Sequence, residues 1–121
     1  MAWTFHVSVR SVNEPIGGTR LQITTQTYGL PLMDVPSAIQ FSVEDAVHNL
    51  ALVFTHDRYA TLTMNLELSG STWLWNDPQQ SVQTSGRDVQ ITVTLLRARL
   101  APTTYISEET LLRLAKYAKE P

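Results

Sequence analysis

Cysteine is absent from the 121 residues, which excludes disulfides, thiolate catalysis and zinc sites built on thiolates. No apolar run approaches the length that spans a bilayer; NLALVF (Asn49–Phe54) falls far short of it. The opening MAWTFHVSVR has neither the cationic n-region nor the continuous apolar stretch of a secretory signal. A soluble intracellular protein is therefore expected, in the cytoplasm or within a particle, with no membrane partner. Charge is also scarce. A net charge of −2 and a pI near 5.8 make no electrostatic case for nucleic acid or an anionic membrane. There is no phosphate loop, no dinucleotide fingerprint and no serine on a strand–turn–helix elbow. No catalytic residue, metal-ligand set or cofactor is assigned on these grounds, so a non-enzyme is the leading expectation, with a small enzyme left open.

What is present is enough apolar residue, 43%, to build one core and one domain over residues 1–121. Trp3, Phe5, Val7 and Val9 alternate with polar neighbours, as on a half-buried strand. NEPIGGT (Asn13–Thr19) is a loop, and Arg20–Tyr28 is a threonine-rich strand suited to a sheet edge. In GLPLMDVP (Gly29–Pro36), Leu30, Leu32 and Met33 are apolar for a loop and must cover the core or meet a partner. Ser42 followed by Glu44 and Asp45 resembles a helix start. Val43, Ala46, Val47, Leu50, Ala51 and Phe54 then keep helical spacing, while Ser37–Phe41 fits either an extension of that helix or a short strand. Leu62, Met64, Leu66 and Leu68 alternate again. Asn76–Asp88 reads as a flexible polar loop, Val89–Leu100 as the longest strand, and Ser107 as the cap of a last amphipathic helix. The expected fold is a single α+β domain in the order ββαβββα. A mainly antiparallel five-stranded sheet would carry two helices on one face, a β-grasp-like arrangement being one form of it.

Two tryptophans flank Leu74 in SGSTWLWNDP (Ser69–Pro78), so on a strand both indoles share a face. A two-residue loop at Ser69–Gly70 pairs Leu68 with Ser71, Leu66 with Trp73 and Met64 with Trp75, turning both rings to the leucine side, whereas a three-residue loop would face them outward as a binding platform. Trp75, beside the polar loop, would then stand at a cavity mouth. In the last strand the apolar phase slips from Val89, Ile91, Val93 and Leu95 to Leu96, Ala98 and Leu100. Either a bulge near Leu95–Leu96 or a strand outgrowing its sheet accounts for this. Arg97 and Arg99 share a side, and guanidinium forks suit anions or partner carboxylates.

HDRY (His56–Tyr59) is the one local cluster of imidazole, acid, base and phenol; in a catalytic reading Asp57 would orient His56. Glu44 and His48 would form a surface pair on the helix. Three functional expectations follow. The leading one is a non-enzymatic interaction or assembly subunit of a larger complex, phage-like or otherwise multi-subunit. It would have protein partners, homo-oligomerise, and make contact through Leu30, Leu32, Met33 and the threonine-rich edge. The second is a small-ligand binder or small enzyme with a pocket between sheet and helices, lined by Trp75, Arg97, Arg99, His56 and Tyr59. The third is a nucleic-acid binder. From Gly86 onward six bases face four acids, but interleaved aromatics are missing.

Overall fold

A computed structural model describes residues 2–12 and 14–97. Among the described residues the chain forms nine strands and no helix: β1 (Trp3–Arg10), β2 (Thr19–Thr25), β3 (Met33–Val35), β4 (Ala38–Val43), β5 (Asn49–His56), β6 (Tyr59–Ser69), β7 (Thr72–Trp75), β8 (Ser81–Ser85) and β9 (Asp88–Thr94). They make a four-stranded sheet in the order β4-β1-β9-β8 and a five-stranded sheet in the order β3-β2-β5-β6-β7. All pairings are antiparallel except β1 with β9, which run parallel. Each sheet buries one face, and the two buried faces form a single apolar core, the arrangement of a β-sandwich.

Alternation of side chains builds that core. Trp3, Phe5, Val7 and Val9 of β1 are all buried, as are Val89, Ile91 and Val93 of β9. From the other sheet come Leu21 and Ile23 of β2, Leu50, Leu52 and Phe54 of β5, and Met64 and Leu66 of β6. Trp73 bridges the layers: its ring meets Trp3 edge-on at 5.7 Å and Phe5 at 5.3 Å. Phe5 in turn stacks on Phe41 with centroids 5.0 Å apart. The indole N–H groups of Trp3 and Trp73 are buried without a hydrogen-bond partner among the described residues, so packing rather than hydrogen bonding by the indole N–H holds these rings. Outside the core, Arg87 lies 4.6 Å over the Trp3 ring and pairs with Asp45.

The α+β expectation is overturned. Where the helix over Ser42–Phe54 was expected, β4 ends at Val43, Glu44–His48 cross between the sheets, and β5 follows. The apolar stripe at helical spacing omitted Leu52 and Val53, and Leu50, Leu52 and Phe54 satisfy a period of two equally well. With Val53 and Thr55 β-branched, the extended state wins. Ser37–Phe41 resolves accordingly, as strand. Glu44 and His48 lie in the crossing rather than one helical turn apart. The β-grasp-like single sheet is likewise replaced by two sheets. The expected second helix after Ser107 lies outside the described residues.

Three smaller corrections bear on function. β2 is flanked on both sides: β5 pairs along one, and β3 with the Tyr28–Leu30 segment covers the other. Its last residue, Thr25, is buried, and its hydroxyl accepts the Tyr28 N–H at 2.9 Å. The expected flexible loop contains β8, whose one valine, Val82, left almost no alternation to read. The turn before β7 falls at Gly70–Ser71, one residue later than expected, with Gly70 at φ 64° in keeping with two-residue hairpins. Leu68 therefore opposes Trp73 and Leu66 opposes Trp75, a slip of two that leaves the faces unchanged. Among the described residues no helix is long and apolar enough to cross a membrane.

Candidate functional site

The residues proposed as a ligand-binding set divide between two places. His56, Tyr59 and Arg97 meet where β5 turns into β6. His56 stands edge-on to Tyr59 at 4.8 Å, and the Arg97 guanidinium lies 5.8 Å from the Tyr59 ring. Trp75 opposes Leu66, seven residues along β6 from Tyr59, or about 23 Å at the rise of a strand. Arg99 lies outside the described residues. Of the slipped stretch that drew attention to the arginines, only the part up to Arg97 is described. β9 ends at Thr94, Leu95 remains buried, and the chain then leaves its sheet. Ala60 donates to the Leu96 carbonyl at 2.8 Å, and Arg97 bridges Tyr59 at the start of β6.

His56 has no free nitrogen for proton transfer. Its Nδ1 accepts the Arg58 N–H at 3.0 Å, which leaves Nε2 as the donor to the Gly17 carbonyl at 2.8 Å. The ring ties the β5–β6 turn to the Gly17–Gly18 segment, and Asp57 does not orient it. Of the apolar loop, Leu30 and Met33 pack against the core while Leu32 is 55% exposed. No group of three histidine, aspartate or glutamate side chains is placed to hold a metal among the described residues.

Two surface features remain that sequence reasoning missed. The first is a groove of about 530 Å³ on the outer face of the five-stranded sheet. Strand registers bring its walls together: Thr24 lies opposite Ala51, Ala51 opposite Asn65, Asn49 opposite Glu67, and Glu67 opposite Leu74. Ala51 makes the hollow, because every outward neighbour is larger. The Gln26 side chain closes one end; its Oε1 accepts the His48 and Asn49 N–H groups and its Nε2 donates to the Ala46 carbonyl. Asn76 closes the other, its Oδ1 accepting the Asn65 N–H at 3.0 Å where β7 has stopped. Asn49 is held through Nδ2, which donates to His48 Nδ1 at 3.1 Å. Trp75 borders this groove at its β7 end, and its indole N–H is taken by the Gln80 carbonyl at 3.2 Å.

The second feature is an edge. β4, the sequence AIQFSV, has one hydrogen-bonded strand neighbour, β1, among the described residues. It holds no charge and no proline, and no lysine occurs in the chain before Lys116. Sheet edges are ordinarily blunted by lysine, proline, inward charges or bulges. β4 has none of these. Its inward residues Phe41 and Val43 are buried, and Ile39 is half-buried.

Comparison with protein-family models, with curated proteins and with solved structures finds no match to this chain.

Proposed function

We propose that this protein is a non-enzymatic assembly subunit whose copies join through β4. The observation that carries the reading is the six-residue, charge-free edge, which presents a row of backbone donors and acceptors. A second copy supplies the complementary row by symmetry, since a two-fold contact pairs a patch with itself. Centred on Phe41, antiparallel pairing sets Phe41 against its own copy, Ile39 against Val43 and Gln40 against Ser42. This register keeps the apolar residues on the inner face and joins two four-stranded sheets into one of eight. It also covers the half-buried Ile39. Such a dimer is a building unit for a larger multi-subunit complex, phage-like particles included. The cysteine-free composition suits an intracellular or particle-borne location.

The test is the mass of the full chain in solution by light scattering and sedimentation. A dimer or a larger multiple is expected. The paired substitution Gln40→Lys with Ser42→Lys places like charges opposite each other across the new seam, which disfavours cross-strand pairing, and should give monomers. A strictly monomeric unsubstituted chain, or an assembly indifferent to both lysines, overturns the reading.

A further inference from the structure

We infer that the groove centred on Ala51 is a binding site for a neutral, polyhydroxylated ligand, a pyranose unit of an oligosaccharide. Its volume, about 530 Å³, lies within the range of small-ligand sites, roughly 300–1,000 Å³. Its lining settles the charge of the occupant. Among the described residues no lysine, arginine or histidine borders it, and Glu67 is the single ionisable group. Phosphates, carboxylates and nucleic acid therefore find no counter-charge there, and Glu67 repels them.

The polar inventory settles the rest. Asn49, Asn65 and Asn76 supply amides, Thr24 a hydroxyl and Glu67 a carboxylate around a floor of Ala51 with Leu74 beside it. Amides and hydroxyls offer donors and acceptors side by side, the complement of neighbouring hydroxyls on a sugar ring. The apolar part of the lining, Ala51, Leu74 and Trp75 among it, suits the C–H face of such a ring. Three of the wall groups are already fixed. Gln26 makes three bonds to backbone, Asn76 holds the Asn65 N–H through Oδ1, leaving Nδ2 as its donor, and Asn49 is bound through Nδ2, leaving Oδ1 as its acceptor. Groups held in place before binding lose little freedom when the ligand arrives. The site is distinct from the β4 edge, which belongs to the other sheet.

The experiment is a titration of the isotope-labelled full chain with three neutral trisaccharides (cellotriose, maltotriose and chitotriose), followed through backbone amide shifts. A sulfated heparin trisaccharide serves as the anionic counterpart. At least one neutral sugar should move the signals of Asn49, Ala51, Asn65 and Glu67 while leaving Gln40 and Gln90 in place. Filling the hollow with Ala51→Phe should weaken that binding at least about tenfold, the loss expected when a site is blocked or a charged hydrogen bond removed. Glu67→Gln, which keeps the shape and one acceptor oxygen, should weaken it less and should lessen discrimination against the sulfated sugar. The spectra themselves report whether each variant is folded. Absence of shifts with all three neutral sugars, stronger binding of the sulfated one, or undiminished binding by both folded variants overturns the inference.

Discussion

The two open sides of the sandwich are finished in opposite ways. On one side, β7 and β8 are the edges of their sheets, and the protein stitches them together. The Trp73 N–H is given to the Thr84 hydroxyl at 3.0 Å, and the Trp75 indole N–H to the Gln80 carbonyl. Gln80 itself is buried and acts as an extra rung: Oε1 accepts the Thr94 N–H at 2.7 Å while Nε2 faces the Thr94 carbonyl at 3.4 Å. On the other side, β3 is three residues long and β4 ends its sheet with nothing bonded beyond it among the described residues. The same chain that spends tryptophan, threonine and glutamine on closing one side leaves the other side plain. Closure by side chains is the device of an edge meant to stay alone. Among the described residues β4 has no such closure, which is what the proposed joining through this edge requires.

Substitutions that break the stitched side should cost folding free energy, whereas changes on the plain side should cost only assembly. The largest effect is expected from Trp73→Ala, which empties the space between both sheets and should lower stability by about 3–5 kcal/mol in a urea titration. Trp73→Phe, which keeps a ring and removes the unpartnered indole N–H, should lose less. Next comes Gln80→Ala. It leaves the Thr94 N–H and carbonyl without their rung and should cost about 1–3 kcal/mol, with an unchanged denaturant slope. The Gln40→Lys and Ser42→Lys pair, on exposed outward positions of β4, should change the stability of the separated monomer by no more than about 0.5 kcal/mol. If that pair destabilises the monomer as strongly as Gln80→Ala does, the contrast between the sides is false. The smallest effect is spectroscopic. Iodide should quench Trp75, at 36% exposure, and spare Trp3 and Trp73, at 3% and 0%, so Trp75→Phe should abolish the quenchable fraction.

Where apolar and polar residues alternate cleanly, as in β1, β6 and β9, strands and their buried faces could be read directly from the chain. The inward placement of Trp73 survived even a misplaced turn, because a two-residue slip keeps every side chain on its face, whereas Trp75, two residues on, is exposed. β5 failed for the opposite reason. Ala51 and Val53 on its outer side are apolar enough to blur a period of two into a period of 3.6, and Glu44 with Asp45 imitated a helix start. β8 failed because a strand with one valine carries no periodicity at all. The candidate sites were harder still. His56 and Tyr59 are neighbours in sequence and were seen together, but the groove exists only once Thr24, Ala51, Asn65 and Leu74 are set side by side by three separate registers. Gln80 becomes structural only because β9 ends next to it. No local signal carries either fact.

The parallel pairing of β1 with β9 has a temporal meaning as well as a spatial one. Among the described strands, the earliest to be synthesised has as one of its two neighbours the latest, so that layer stays incomplete until Thr94 has emerged. The other layer, from β2 to β7, has all its members some twenty residues earlier. During that interval a nascent chain carries a half-built layer with a bare flank on each side of the β4–β1 hairpin-like pair. Newly made copies on neighbouring ribosomes would meet in that state, when joining to a sister chain competes with finishing the fold.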